Sequence, residues 1–336
     1  RGADFGHDLS QIEVRRIAAA SPNRGRGLAK LGAAFELGLG YLQSSRMISQ
    51  LRPEAVLGFG GYPSVPPLLA ASRRKVPVLL HEQNQVAGRA NRLPASPDDI
   101  KATPFPLLDG LRAQSPDRLV FTGNPVRAEI AAVGQGPYPR IEKAGPLVLL
   151  VTGGSQGARA FDDAVPEAVA LLPQELRARL RVVQQVRSRD SDEAAAIYER
   201  AGVSAVLKPF FEDMPQRLSA AHLLLCRSGA STIAELAAAG RPALMIPYPF
   251  AADDHQRGNA EAFAAAGGGW VLPQREMTVE RLSRQLLDLL SDPARLEGAA
   301  AAARAFARDD AAERLADLVC GVRNGGHEFS YKEAAA

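Results

Sequence analysis

Apolar residues along this chain follow two rhythms: short unbroken runs, and longer stretches in which they recur every third or fourth position. Short runs bounded by Gly, Pro or polar clusters predict buried strands, and the longer stretches predict helices. In the first part the predicted strands are Ala55–Gly58, Val76–Leu80 and Arg118–Thr122, preceded by a helix from Leu28 to about Gln50. In the second part they are Leu147–Thr152, Arg181–Val186, Ala205–Lys208, His222–Cys226, Ala243–Ile246 and Trp270–Leu272. Helices are predicted between them near Ala158–Leu172, Asp190–Ala201, Ser231–Ala239 and Asn259–Ala266. This alternation predicts an α/β fold built on parallel sheets.

Between the two series, Val133–Pro146 carries three Gly, three Pro and mixed charge, the composition of an interdomain linker. Beyond Thr278 the chain is rich in Ala, Arg and Asp and reads as helical to about Val322. The expected organisation is a first domain over 1–132, a linker over 133–146, a second domain over 147–322 and a loose tail over 323–336. Two doubly wound domains in tandem place their ligand crevices at the carboxyl ends of the strands, so chemistry is expected just after each strand.

Composition narrows the function classes. A chain of 336 residues, 46% hydrophobic and 23% charged, can bury the cores of two domains. Its net charge of +3 suits a phosphate-bearing partner or an anionic membrane surface but is too small to indicate nucleic acid, and 6% aromatic content offers no stacking platform for single strands. Cys226 and Cys320 lie far apart with no partners at metal-ligand spacing. That predicts no disulfide framework, no metal site and a reducing compartment. No run of eighteen apolar residues is present, so no membrane-spanning helix is predicted.

Seven segments carry candidate chemistry. Gly153-Gly154-Ser155-Gln156-Gly157-Ala158 follows a strand and opens a helix, where glycines admit a phosphate and helix-start N–H groups can bind it. A tight turn with Ser155 as N-cap is the plainer alternative. The next strand ends Gln184-Gln185-Val186, without the carboxylate that would hold a dinucleotide ribose, which argues against an NAD dehydrogenase. Arg227–Glu235 repeats the arrangement after the strand ending at Cys226, with Glu235 one turn in, able to accept from a ribose diol. There Thr232-x-x-Glu235 also reads as a capping box. Asp253-Asp254-His255-Gln256-Arg257-Gly258-Asn259 sets acids and amides at a helix start, suited to sugar hydroxyls or, more simply, to capping.

His81-Glu82-Gln83-Asn84 places four polar groups after a wholly apolar strand. Gly123-Asn124-Pro125-Val126-Arg127 follows another, and Arg127 could neutralise a diphosphate. Gly58-Phe59-Gly60-Gly61-Tyr62-Pro63-Ser64 has the same strand–glycine–helix grammar. Finally, Leu28, Leu31, Phe35, Leu39 and Leu42 fall on one helical stripe rimmed by Arg24, Arg26, Lys30 and Arg46. The default expectation is a core-facing stripe, and the alternative is a helix resting on an anionic membrane.

Taken in order over about 200 residues, these segments resemble the MurG-type transferases of peptidoglycan synthesis. The resemblance covers Arg1 to about Val322. It implies a GT-B fold, two Rossmann-like domains facing across a cleft. It implies inverting transfer of N-acetylglucosamine from UDP-N-acetylglucosamine to a lipid-linked muramoyl-pentapeptide, with no cofactor and no metal. The protein would be peripheral, at the cytoplasmic face of the bacterial inner membrane, and Leu28, Leu31 and Phe35, flanked by Arg26 and Lys30, are the candidates to face the lipid. UDP-N-acetylglucosamine would sit mainly on the second domain. The resemblance puts the Phe211 backbone at the uracil, Glu235 on the ribose and Gln256 and Asn84 at the sugar. Ser155, Arg127 and the helix start at Ala230, Ser231 and Thr232, continuing through Ile233 and Ala234, would meet the diphosphate. Oriented amides and Arg127 would then stabilise the charge developing on the leaving UDP.

Two departures modify these expectations. The family opens with a strand, a Gly-Gly-Thr-Gly-Gly-His loop and a helix that this sequence does not contain, roughly 30–40 residues by the usual size of such units. That loop would carry the general base, so none is assigned, and His81 and Glu82 are fallback candidates. A sheet lacking a central strand is expected to expose an edge, leaving the chain poorly active or unstable. Asn91–Pro106, with Pro94 inside it, is also atypical for a helix. Two other readings stay open: a different UDP-sugar enzyme of the same fold, such as an epimerase or another transferase, which would need no lipid-facing helix; or a UDP-sugar-binding protein without turnover.

Overall fold

The computed structural model describes residues 13–20, 28–94, 96, 99–105, 118–154, 157–187 and 190–323, apart from the side chains of 28–30. Its first sheet contains β1 (Val56–Gly58), β2 (Val78–His81), β3 (Ile100–Thr103) and β4 (Leu119–Phe121). All pairs are parallel and the strands lie in chain order, with β1 at one edge. Around them lie α1 (Leu28–Leu51), α2 (Val65–Arg73), the single turn α3 (Arg89–Arg92) and α4 (Ala128–Val133). The chain leaves α3 just before Pro94, which cannot donate the bond that would continue a helix. Strand β3 is an addition to the sequence expectation. It is only Ile-Lys-Ala-Thr, and a lysine ordinarily argues against a buried strand. Here Lys101 is buried because its ammonium donates to the carbonyls of Ser96 and Asp99 at 2.6 and 2.8 Å.

The second sheet has six parallel strands in the order β10-β9-β8-β5-β6-β7. They are β5 (Leu147–Thr152), β6 (Leu180–Gln185), β7 (Ser204–Lys208), β8 (Leu223–Cys226), β9 (Ala243–Met245) and β10 (Gly269–Val271). Between them run α5 (Arg159–Ala170), α6 (Gln174–Arg179), α7 (Ser191–Arg200), α8 (Met214–Ala220), α9 (Ala230–Ala239) and α10 (His255–Ala265). After them come α11 (Val279–Leu290), α12 (Pro293–Phe306) and α13 (Ala311–Arg323). Two parallel-sheet domains, each wrapped by helices, form the GT-B arrangement expected from the sequence. The larger core joins β5, β6 and β8 to Phe161, Val165 and Val169 of α5 and to Leu282, Leu286 and Leu289 of α11. Burying each such side chain is worth roughly 1.5–3 kcal/mol.

Two expectations change. First, α1 does not put its leucine stripe into the core. Leu31, Phe35, Leu39 and Leu42 are exposed, Phe35 by 73%. The helix instead buries Ala33, Ser44 and Ile48, with Gly40 so close to the chain at Ala18 that a Cβ there would lie 2.0 Å from its carbonyl oxygen. Small residues let the opposite face seat closely, with Ile48 packed among Leu68, Ala71, Val78 and Leu80, so the larger residues are left outside. The side chains of Leu28 and Lys30, and Arg26 altogether, lie outside the described residues.

Second, the boundary at 322 does not follow packing. Leu315, Leu318, Val319 and Val322 of α13 form an i, i+3, i+4, i+7 stripe that lies on Leu79, Ile100, Ala102 and Val120 of the first sheet. The last helix therefore crosses back to the first domain. Phe105 and Ile130 reciprocate by joining Leu224, Ile233, Phe263 and Ala303 in a core shared by both domains. The segment 133–146 is also docked: Tyr138 and Ile141 pack on the second core, and Arg179 donates to the carbonyls of Gly145, Lys143 and Glu142 at 2.7–2.8 Å. The tail from residue 324 lies outside the described residues.

Candidate functional site

The order of the second sheet reverses direction at β5, so the loops after β5 and β8 diverge and leave a crevice at the carboxyl ends of these neighbours. A cleft of about 1300 Å³ opens there, bounded on its far side by Gln83, Asn84 and Arg127 of the first domain. The loop after β5 reaches it through Gly153 and Gly154. A Cβ on Gly153 would lie 2.3 Å from the backbone nitrogen of Ala158, so only glycine fits, while Gly154 takes φ +77° and faces open space. Gln185 secures this loop by accepting from Thr152 Oγ1 and the Gly153 N–H at 3.0 and 3.1 Å. Ser155 lies outside the described residues.

After β8, Arg227 lines the cleft, but its guanidinium is committed to protein partners. Its guanidinium donates to the carbonyls of Ile246 and Pro247 and to Gln274 Oε1, and it stacks on Phe161 and Tyr248. Burial pulls its pKa down to about 10. This anchors the start of α9, whose N-cap is Gly229 with no side-chain capping bond. The capping box is therefore excluded: Thr232 stands in the third helical position, not at the cap. Ala230, Ser231 and Thr232 line the cleft, and the first intrahelical bond is made by the N–H of Ile233 to the Gly229 carbonyl. Three helix-start amides thus face the cleft beside open space, the arrangement that binds anions. Ile233 itself does not line the cleft. Its side chain is in the shared core because the following turn faces inward, and Ala234 faces the domain seam near Gly123.

Glu235, one turn in, lines the cleft and accepts from Arg127 Nη2 at 3.3 Å across the domain boundary. Burial raises the Glu235 pKa, and Arg127 partly offsets that rise. Gln256 lines the same cleft, its Oε1 accepting from the Tyr248 N–H at 3.0 Å. Phe211 is buried in the turn before α8, while its neighbour Phe210 projects into the cleft, 62% exposed.

On the first-domain side, Glu82 organises the loop after β2. Its Oε1 accepts from the Asn84 N–H and Nδ2 at 3.0 Å each, and its Oε2 from the Gly88 N–H and Asn91 Nδ2 at 2.8 and 2.7 Å. His81 is fully buried: its Nε2 lies 3.0 Å from the Gly123 carbonyl and its Nδ1 2.9 Å from Gln83 Nε2. An imidazole protonated on Nε2 satisfies both contacts, and burial lowers its pKa. Neither side chain is free to take a proton from a substrate, so both fallback bases are withdrawn. Asn84, held by Glu82, offers its Oδ1 to Asn259 Nδ2 at 3.0 Å, and buried Asn259 also accepts from the Gln85 N–H and donates to the Ser228 carbonyl. The side-chain amide of Asn259 thus ties the two domains together at this point.

The cleft thus brings together the start of α9, the Arg127 guanidinium, the Glu235 carboxylate and the side-chain amides of Asn84 and Gln256. A family model for the glycosyltransferase family 28 C-terminal domain matches residues 148–315, and the N-terminal domain model matches residues 3–97. The chain belongs to glycosyltransferase family 28. It is 50% identical over 97% of its length, and 86% of the relative's, to the UDP-N-acetylglucosamine–N-acetylmuramyl-(pentapeptide) pyrophosphoryl-undecaprenol N-acetylglucosamine transferase of Rhodospirillum centenum. It is 46% identical over 96% of its length to the protein of the same name in Paramagnetospirillum magneticum, covering 87% of it. Among solved structures it is similar to Acinetobacter baumannii MurG, with TM-score 0.72 and 32% identity over 88% of this chain and 82% of that one. A Neisseria meningitidis UDP-GlcNAc 2-epimerase bound to UDP-GlcNAc, 13% identical with TM-score 0.58 over 93% and 87% of the two chains, shares the fold.

In this family 28 chain, sequence reasoning overlooked the arginine pairs that cross the cleft. The sequence favours a helix cap at Asp253 or Asp254. Asp253 caps nothing, and instead accepts from Arg89 Nη2 at 2.9 Å, with Arg92 Nη2 at 3.9 Å. No local pattern signals this, because the partners are 164 residues apart. Among the described residues no group of three or more His, Cys, Asp or Glu is placed to hold a metal ion, and no helix is long and apolar enough to cross a membrane.

Proposed function

We propose that this glycosyltransferase moves N-acetylglucosamine from UDP-N-acetylglucosamine, with inversion, onto an undecaprenyl-pyrophosphoryl N-acetylmuramoyl-pentapeptide. The observation that carries this reading is the meeting in one cleft of free helix-start amides, a cation and a carboxylate, in a chain half identical to relatives of that name. The amides of Ala230, Ser231 and Thr232 and the Arg127 guanidinium receive the donor diphosphate. Negative charge grows on that diphosphate as the glycosidic bond breaks, so donors fixed in advance stabilise the transition state more than the ground state. Glu235 accepts from the ribose diol, the Phe210–Phe211 turn receives the uracil, and Asn84 and Gln256 hold sugar hydroxyls. When donor enters, Arg127 and Glu235 exchange one another for phosphate and ribose.

The exposed apolar face of α1 supports peripheral attachment to the cytoplasmic leaflet, where the lipid-linked acceptor would lie. An epimerase acting on a soluble nucleotide sugar would have no use for that face. The test is calorimetric titration of the chain with UDP-N-acetylglucosamine, with UDP-glucose and NADH as controls. Saturable binding that prefers UDP-N-acetylglucosamine is expected. A cooperatively melting chain that binds none of the three, or binds NADH alone, overturns the reading.

A further inference from the structure

The reaction proposed above brings two diphosphates into one cleft, that of the donor and that of the lipid-linked acceptor. Like charges at such separation repel strongly, so each needs its own cations. The helix-start amides of α9 and Arg127 serve one. Beside the cleft, three loops converge on a second cationic centre. Arg89 and Arg92 stand on the single turn of α3, and Asp253 approaches them from the second domain between cleft-lining Ala251 and His255. The glycine loop after β1 closes the third side: a Cβ on Gly60 would lie 3.0 Å from the Asn91 amide, and Tyr62 is near enough to interact with Arg89.

Three features set this centre apart from an ordinary surface ion pair. Asp253 and Asp254 both take positive φ, 52° and 54°, a conformation that costs a residue with a side chain and that persists only where the surroundings impose it. The charges are unequal, two guanidinium groups against one carboxylate, so positive charge is left over at the rim. The exposures are also unequal: the Arg89 and Arg92 side chains are 59% and 38% exposed, whereas that of Asp253 is 20% exposed. The cations are thus accessible to an incoming anion, and the carboxylate is lodged behind them.

We propose that Arg89 and Arg92 form the binding site for the acceptor's diphosphate, and that Asp253 occupies it in the empty enzyme as an internal anion which the acceptor displaces. Paired guanidinium groups grip phosphate oxygens in a fork that a lysine cannot reproduce. Because Asp253 belongs to the other domain, entry of the acceptor also releases one of the cross-cleft ties, while that at Asn259 stays.

This rests on the transferase reading, and the test keeps the two apart. The probe is geranyl diphosphate, titrated calorimetrically into the chain with UDP present, with geraniol as control. Saturable binding of the diphosphate but not the alcohol is expected. The Arg89→Ala/Arg92→Ala variant should bind about tenfold more weakly or not at all, with UDP affinity unchanged. Asp253→Asn should bind geranyl diphosphate more tightly than the unaltered chain, because the internal competitor is gone. That opposite sign separates an anion site from a structural bridge, whose two halves would fail together. The proposal is overturned if the unaltered chain does not bind the probe, if the arginine variant binds it equally well, or if Asp253→Asn weakens it. It is also overturned if Arg127→Ala abolishes probe binding, which would place the probe in the donor site. Should the variants behave as expected while UDP-N-acetylglucosamine fails to bind, the anion site stands and the transferase reading falls.

Discussion

The two domains build their halves of the cleft by different means. The second is organised around a large continuous core, and its contribution to the site is largely backbone, glycines packed against the start of α5 and amides presented by α9, joined by the side chains of Glu235 and Gln256. Among the described residues the first has four short strands with small clusters on either face, one of them completed by α13 from the far end of the chain. Its contribution is a loop held by hydrogen bonds to one carboxylate, Glu82, rather than by apolar packing. Packing fixes a backbone whatever the pH or ligand. A hydrogen-bonded loop depends on each member, because any donor left unpaired in a buried site is costly.

The largest expected effect follows from that dependence. Glu82→Gln replaces one of two fully engaged carboxylate oxygens with a donor facing donors, and should destabilise the first domain by about 3 kcal/mol. Chemical denaturation read separately at each domain should show the first unfolding earlier while Trp270, in the second, reports little change. Equal losses in both would mean that the shared core, not the loop, governs the first domain.

Next in size is Glu235→Gln, which leaves the fold intact but weakens the charge-assisted bonds to the ribose. UDP-N-acetylglucosamine affinity should fall by about tenfold or more. An unchanged dissociation constant would remove Glu235 from the donor site. The same residue gives the pH dependence. Its pKa is raised by burial, and the ionised form is the one that accepts from the diol. Donor affinity should therefore fall on acidification, the fall beginning above the ordinary glutamate value of about 4.3. Glu235→Gln should flatten that limb, and a fall that persists in the variant would assign it to another group.

The smallest effect on the fold is expected on α1. Leu31→Ser/Phe35→Ser alters only exposed side chains, so stability should stay within about 0.5 kcal/mol. Cosedimentation with anionic vesicles should drop sharply. Undiminished vesicle binding would detach α1 from the membrane and direct attention to the exposed Tyr248–Phe250 pair.

The sequence by itself determined the α/β class with two parallel sheets and most strands, because buried parallel strands must be apolar runs and the turns after them need glycine. It also located the loops that line the cleft, since a doubly wound sheet places its crevice at the strand ends. Strand β3 was not legible, because what makes Lys101 tolerable is a pair of carbonyls that only the folded loop supplies. The orientation of α1 could not be read either: a leucine stripe and a glycine–alanine–serine face are both candidates for burial, and the close fit of Gly40 against Ala18 decided between them. The return of α13 to the first sheet, the commitment of His81 and Glu82 to structural bonds and the pairing of Arg89 with Asp253 all rest on partners remote in the chain. Local patterns fix local conformation, while the choice of partner is made by packing, where a buried polar group takes whichever neighbour the tertiary structure brings within reach.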